Sequence, residues 1–238
     1  MTIATKLFEY VEKAGIAEFS VLESLRLTSP NSLRVTLSRL TKAGKFYSPA
    51  KGVYVSKGAD PFMVATILKP GYLSLGTALH FHHLIEEYPF TIHIAASSRG
   101  SFRMGEHELF YFKAKNYLGL LEKPYKMASV EKAIYDCLLH ADLVGFAKIA
   151  KALYRAEISS KKFLAISKTE SSAFFQRLGY VLSLLPNLGS EKKRLLEHCR
   201  GRICANAYLQ GRGKGKYVSE WKLVDNVGEK VILSWWHQ

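Results

Sequence analysis

A helical stretch near the N-terminus carries side chains whose types and spacing suit contacts to DNA bases. Projected at about 100° per residue, residues 30–43 place Leu33, Leu37 and Leu40 on one face and a polar set on the opposite face. An amide side chain can pair with adenine, a guanidinium with guanine, and a small apolar side chain can meet a thymine methyl group. An ordinary solvated helix face is the alternative interpretation. The candidate base-contacting residues are Asn31, Arg34, Val35, Ser38 and Arg39.

Hydroxyl and ammonium groups around this helix are candidates for contacts to the DNA backbone, which add affinity without sequence information. The candidates that follow the base-contacting residues are Lys42, Lys45, Ser48 and Lys51. A second basic set near the C-terminus also predicts backbone contact, although an acidic partner protein or solubility would account for the same charge. This set comprises Lys192, Lys193, Arg194, Arg200, Arg202, Arg212, Lys214 and Lys216.

The charge of the whole chain favours a polyanionic partner. Lys and Arg number 34 against 20 Asp and Glu, which gives a formal net charge of +14. The net charge is +5 for residues 1–58, zero for residues 59–140 and +9 for residues 141–238. A membrane surface is disfavoured because no basic amphipathic helix with an exposed apolar face stands out. The charge therefore favours nucleic acid, and the helix face described above makes double-stranded DNA the expected partner.

Four histidines are candidates for metal ligands, but their predicted positions disfavour a metal site. His80 and His83 share a helix face, whereas His82 points about 100° away from His83, and no Asp or Cys supplies a further ligand at suitable spacing near them or His93. We expect no metal and no cofactor.

Catalysis finds little support in the sequence. Glu220 and Lys222, two residues apart on a predicted strand, are the best enzyme candidate, since such a pair can help to hold a divalent cation and poise water. A second acid is missing, so the solvated face of a strand is the favoured interpretation. Gly211, Gly213 and Gly215 match no phosphate-loop pattern. We expect a protein that is not an enzyme, with a metal-dependent nuclease as the least favoured alternative.

Three predicted helices and two strands position the N-terminal candidates. Helices are expected at residues 5–14, with Thr5 as N-cap, and from Ser20, where Glu23 completes a capping box. Ser29 followed by Pro30 marks the start of the third helix, which ends at Gly44. Strands then flank a turn that contains Pro49 and Gly52. This order predicts a winged helix-turn-helix over residues 1–58, whose third helix enters the major groove.

The rest of the chain, residues 59–238, predicts a larger mixed domain of α+β class. Gly58–Pro61 is interpreted as the linker between the domains. Strands are predicted to begin at Thr91 and Leu109, on either side of a turn at 97–105, and to form a hairpin or short sheet. Further helices begin at Ser74, Ser129, Gly145, Ser172 and residue 191, and two last strands cover Val218–Val224 and Val231–Trp236. The sequence contains no stretch of about 18 apolar residues and no apolar leader, so neither a membrane span nor an export signal is predicted. Its three cysteines form no C-x-x-C pair and are predicted to be reduced thiols. We expect a cytoplasmic protein.

Five segments taken together resemble a known family. They are RVTLSRLTKAGKFYSPAKGVYV (34–55), GYLSLGTALHFHHLIEE (71–87), ASVEKAIYDCLLH (128–140), FFQRLGYVLSLL (174–185) and KYVSEWKLVDNV (216–227). In this order they resemble the AbiE-type (AbiEi) antitoxins, transcriptional regulators of type IV toxin–antitoxin systems. The resemblance covers nearly the whole chain.

The resemblance implies a sequence-specific repressor that binds its own promoter through the winged helix. It further implies that the second domain helps to bind DNA and neutralises a toxin of nucleotidyltransferase type, by direct contact or by a functional route. A winged helix that binds proteins instead of DNA is the main alternative, and a nuclease is the other.

Overall fold

The computed structural model describes residues 1–237. Helices and mixed sheets are both present, which confirms the α+β class predicted from the sequence. The chain divides into two compact units: residues 1–71 with 90–114, and residues 72–89 with 115–237. The predicted boundary after residue 58 therefore lies inside the first unit.

Short helices and strands follow one another along the chain. Up to residue 56 they are α1 (Ile3–Ala14), β1 (Ile16–Glu18), α2 (Phe19–Ser24), α3 (Pro30–Lys42), β2 (Phe46–Tyr47) and β3 (Val53–Ser56). The next are α4 (Pro61–Leu68), β4 (Gly71–Leu73), α5 (Leu75–Phe81), β5 (Thr91–Ala96), β6 (Gly100–Met104), β7 (His107–Lys113), β8 (Leu120–Leu121) and β9 (Met127–Ala128). The last are α6 (Val130–Leu139), α7 (Ala141–Val144), α8 (Phe146–Arg155), α9 (Ser160–Ile166), α10 (Ser172–Ser183), α11 (Ser190–Arg200), β10 (Ala207–Tyr208), β11 (Lys216–Val218), β12 (Leu223–Asp225) and α12 (Glu229–Ile232), with 3₁₀ turns at Ser219–Trp221 and Ser234–His237.

The predicted start of α3 is confirmed, whereas two other predicted caps are wrong. Ser29 accepts from the amide of Ser32, and Pro30 occupies the first turn. Helix α1 begins earlier than expected because Thr2, not Thr5, supplies the capping hydroxyl. The capping box at Ser20 does not form: α2 already begins at Phe19, and the Ser20 hydroxyl donates to Glu18 instead.

A three-stranded sheet closes the N-terminal part of the first unit. Strand β3 pairs antiparallel with both β2 and β1, so the order is β1-β3-β2. The two predicted strands are confirmed, and β1 is an addition that the sequence did not predict. The buried cluster beneath the helices combines Leu7, Val11, Ala17, Leu22, Leu33, Leu37 and Phe46. Burial of these apolar side chains stabilises the orientation of α3.

The remainder of the first unit differs from the expectation at two points. The predicted linker ends in a helix, because Asp60 caps α4 by accepting from the Phe62 amide and Pro61 fits its first turn. Of the predicted hairpin or short sheet, the sheet forms: β5 and β7 run parallel, and β6 lies in the stretch expected to be a turn and pairs antiparallel with β7. Alternating burial in β6 leaves its apolar Met104 inside and Ser101 outside.

Most of the second unit is helical, and a helix begins at or next to each predicted start. Ser129 caps α6 by accepting from the Lys132 amide, while α5 ends at Phe81 rather than in the acidic run after it. Strands β4, β9 and β8 lie in that order.

The end of the chain departs most from the expectation. Residues expected to form a strand at Val231–Trp236 belong to α12 and a 3₁₀ turn, and the strand expected over Val218–Val224 is interrupted by the 3₁₀ turn at Ser219–Trp221.

Candidate nucleic-acid interface

Helix α3 presents the five candidate base-contacting residues together on its exposed side. Leu33 and Leu37 on the opposite side are buried in the cluster that also holds α1. Val35 is 49% exposed. The structure therefore brings these residues to one surface: Asn31, Arg34, Val35, Ser38 and Arg39.

Arg34 is held in a defined position on this surface. Its Nη1 atom donates to Asn31 Oδ1 over 3.2 Å, and its guanidinium carbon lies 4.9 Å from the centroid of the Phe19 ring. Phe19 is the first residue of α2, so a cation–π contact joins the two helices. Burial raises the pKa of the Tyr54 hydroxyl, and the positive charge of Arg34 partly offsets this rise. The side chain is thus oriented before any ligand arrives.

The candidate backbone contacts surround α3. Lys42 lies in its last turn, and Lys45 follows with its ammonium 5.6 Å from the Phe8 ring centroid. Ser48 and Lys51 lie between β2 and β3, where the Ser48 hydroxyl donates to the carbonyl of Ala50 over 3.4 Å. All four residues are exposed.

The cations of this surface lack carboxylate partners. Helix α3 contains no Asp or Glu. Within residues 1–237, no carboxylate lies in ion-pair range of Arg34, Arg39, Lys42, Lys45 or Lys51. Their positive charge is therefore available to a polyanion.

The C-terminal basic set is less uniform, because five of its members interact within the chain. Three form ion pairs: Arg194 with Glu191, Arg200 with Glu220 and Lys216 with Glu229. Two donate to main-chain carbonyls: Lys192 to Tyr154 over 2.6 Å, and Arg202 to Glu170 over 3.0 Å. Burial also lowers the pKa of Lys192. Of the set, the described part of the chain leaves Lys193, Arg212 and Lys214 exposed and unpaired.

The geometry assumed for the nuclease alternative is wrong. Glu220 lies on a 3₁₀ turn, and Lys222 adopts a left-handed backbone conformation with φ of 43°. The Glu220 carboxylate pairs with Arg200 at 2.9 Å, and Trp221 between the two residues is buried. A strand that presents Glu220 and Lys222 on one face is therefore not formed.

The histidine cluster has a different arrangement from a ligand set. His82 Nε2 lies 2.8 Å from the carbonyl oxygen of Ala128. Over the residues that the structure covers, no group of three or more His, Cys, Asp or Glu could hold a metal ion. Cys137, Cys199 and Cys204 are free, as expected, and only Cys204 is exposed.

No protein-family model matches the chain. A comparison with curated proteins found no match either. The resemblance to the AbiE-type antitoxins therefore stays a prediction. Among the helices of residues 1–237, none is both long enough and apolar enough to cross a bilayer.

Two features of the exposed residues, one at α3 and one near the C-terminus, were not predicted from the sequence. One is the support of Arg34 by Phe19, which is 15 residues away and cannot be inferred from helix periodicity. The other is a pair of exposed tyrosines, Tyr208 and Tyr217, that flank the GRGKGK segment at residues 211–216. Aromatic residues interleaved with basic ones are a recognisable signal, and it was available in the sequence.

Proposed function

We propose that residues 1–58 form a winged helix that binds double-stranded DNA sequence-specifically. Helix α3 would enter the major groove, and the β2–β3 hairpin would act as the wing. The order of elements, with three helices followed by a hairpin and a third strand at its edge, supports this assignment. The role of α2 is to cross the backbone while α3 contacts base edges, as in other helix-turn-helix proteins.

One observation carries the proposal: a single exposed face of α3 holds amide, guanidinium, hydroxyl and apolar groups with no acid among them. Asn31 would pair with adenine and Arg34 with guanine, while Val35 would meet a thymine methyl group. Lys42, Lys45, Ser48 and Lys51 would hold phosphates on either side. The unpaired cations also predict binding that weakens steeply with salt.

We further propose that the protein is an autorepressor of the AbiE antitoxin type that neutralises a nucleotidyltransferase-type toxin. This step rests on the resemblance of the five segments and on the lack of net charge in residues 59–140. A neutral segment suits a protein interface better than DNA contact. Direct toxin binding would then use residues 59–140 together with residues 141–238 rather than the winged helix.

A mobility-shift assay with the DNA upstream of the protein's own gene tests the DNA-binding step. The expected result is a complex that resists competition by a scrambled duplex of the same length and composition. Arg34→Ala should lose this preference, while Lys148→Met, a change to a partly exposed side chain of the other unit, should keep it. Equal retention of both duplexes by the unaltered protein would contradict sequence-specific binding, and retention of neither duplex would favour a protein-interaction module without DNA binding.

A growth assay tests the antitoxin step separately. If an adjacent reading frame encodes a nucleotidyltransferase, that enzyme is induced in cells that carry either the unaltered protein or Arg34→Ala. Both should restore growth, because the α3 surface is not proposed to contact the toxin. Point variants are preferred to removal of residues 1–58, since that cut would divide the first compact unit. Loss of protection in a folded Arg34→Ala protein would contradict the proposed separation of roles.

A further inference from the structure

The small sheet near the C-terminus exposes two tyrosines on one face, one on each edge strand. Strand β12 pairs parallel with β10 and antiparallel with β11. The register places both Tyr208 and Tyr217 opposite Val224, so the three side chains lie on one face. Tyr208 is 36% exposed and Tyr217 is 52% exposed. We call this surface the tyrosine face.

The other side of the same sheet is buried, which fixes the direction of the tyrosine face. Ala207, Leu223 and Asp225 alternate with the exposed positions and are buried. Asp225 accepts from the Tyr180 hydroxyl of α10 over 2.7 Å. Arg177 of α10 donates to the main-chain carbonyl of Tyr208 over 2.8 Å. The tyrosine face is thus the outward side of a sheet anchored on a helix.

The ring of Tyr217 lies across the central strand. Its hydroxyl donates to Asn206 Oδ1 over 3.1 Å, although Asn206 precedes β10 on the opposite edge of the sheet. The side chain therefore reaches over β12 and is held at both ends, with half of its surface open. A tyrosine restrained in this way is a ready platform for a stacked ring, because little conformational freedom remains to be lost on binding.

Positive charge is concentrated beside the tyrosine face. Residues 211–216, which join β10 to β11, have the sequence GRGKGK and are exposed throughout. Over the residues described, neither Arg212 nor Lys214 has an ion-pair partner, while Lys216 pairs with Glu229 at 3.5 Å. Stacking rings next to unpaired cations match unpaired bases and their phosphates.

We propose that the tyrosine face binds single-stranded RNA. Bases would stack on Tyr217 and Tyr208, and Arg212 and Lys214 would contact the phosphates. The Asn206 carboxamide at the edge of the face carries both a donor and an acceptor, which is the combination that a ribose 2′-hydroxyl matches. Duplex DNA is a poor occupant, because its bases are already stacked and cannot lie on the rings. The site is separate from α3 and does not depend on the proposed repressor function.

Fluorescence anisotropy with the full chain tests this proposal. The probe is a labelled mixed-sequence RNA of about ten nucleotides, a length within the usual range of such sites. Its affinity is compared with that of single-stranded DNA of the same sequence and with that of the corresponding DNA duplex. We expect the RNA to bind more tightly than the single-stranded DNA. Tyr217→Ala should weaken RNA binding about fivefold or more, and Tyr217→Phe, which keeps the ring, should retain most of the affinity.

Two further variants separate this site from the α3 surface. Arg34→Ala should leave RNA affinity unchanged, and Tyr217→Ala should leave the preference for upstream DNA unchanged. Replacing Arg212 and Lys214 together by Gln should reduce the slope of log affinity against log salt for RNA by about 1.4, at about 0.7 per lost phosphate contact. Equal affinity for single-stranded DNA, or unchanged RNA binding in a folded Tyr217→Ala protein, would overturn the proposal.

Discussion

Lys132 Nζ donates to Asp136 Oδ1 over 2.9 Å, one turn apart on α6, and both side chains are buried. Asp136 also accepts from the hydroxyls of Tyr72 and Ser74, at 3.1 and 2.7 Å. Lys132 donates in addition to Asn116 Oδ1 over 3.1 Å. These contacts connect three stretches of the second unit that are far apart in sequence. The intact pair adds little net stability, because burying both charges offsets much of their attraction.

Removing one member of this pair should be costly. Asp136→Ala is expected to lower the free energy of unfolding by about 3–5 kcal/mol, since it leaves the Lys132 ammonium buried without its counter-ion. Urea denaturation followed by circular dichroism measures the change. The double variant Lys132→Met with Asp136→Leu should be less destabilised than Asp136→Ala alone. A loss of under about 1 kcal/mol in the single variant would show that water or another group satisfies the ammonium.

Arg34 should control sequence preference rather than overall affinity. Arg34→Ala is expected to weaken binding to the upstream duplex by about 1–3 kcal/mol, as loss of a bidentate guanine contact would. Arg34→Lys keeps the charge but not the planar fork, so it should retain binding to a random duplex while losing discrimination. Titrations on specific and scrambled duplexes measure both quantities. Lys51→Ala is the control for a phosphate contact and should weaken both complexes alike.

Glu86 should titrate at unusually low pH. Hydrogen bonds from Lys151 first and Arg155 second hold the pKa of Glu86 at about 2, below its ordinary value of 4.5. Because the folded-state pKa is depressed, the associated stability is present above about pH 4.5 and is lost as pH falls towards 2. Carbon-detected NMR titration of the carboxyl group should give a midpoint near 2. Lys151→Met should raise that midpoint, whereas Lys148→Met, which removes the partner of Glu87, should not.

Gly179 on α10 should tolerate no side chain. A Cβ atom at this position would lie 2.2 Å from Cζ3 of the buried Trp221 and 2.8 Å from Cβ of Cys199. Gly179→Ala is therefore expected to destabilise the protein by about 1–3 kcal/mol, measured as a lower midpoint of thermal unfolding. Gly201→Ala is the matched control, because its nearest heavy atom would be 3.5 Å away. Similar midpoints for the two variants would mean that Trp221 can move aside.

The N-terminal elements could be predicted because their signals are local. Ser29 and Pro30 mark the start of α3, and the spacing of Leu33 and Leu37 identifies its buried face. The same kind of signal at Asp60 and Pro61 was interpreted as a linker, although it begins α4. A cap followed by proline predicts a helix start wherever apolar residues follow.

Elements whose conformation depends on distant contacts could not be predicted. Apolar residues from Val231 to Trp236 suggest a strand, yet over the described residues no neighbouring strand receives them. The ring of Tyr154 instead packs against those of Trp235 and Trp236, with centroids 5.3 and 4.9 Å away. For the candidate site, helix periodicity identified the exposed face of α3 but not the contact of Arg34 with Phe19. The register that aligns Tyr208 with Tyr217 is likewise a property of strand pairing, not of spacing along the chain.

The discontinuous make-up of the two units limits how this protein can change during evolution. The chain passes from one unit to the other after residues 71, 89 and 114. A single recombination event joins one stretch of gene to another and therefore cannot transfer either unit whole. Exchange of the N-terminal 58 residues alone would also separate them from strands β5–β7 of the same unit. Under the proposed DNA-binding function, new specificities are therefore expected to arise by point substitution on α3, with the rest of the chain inherited as one block.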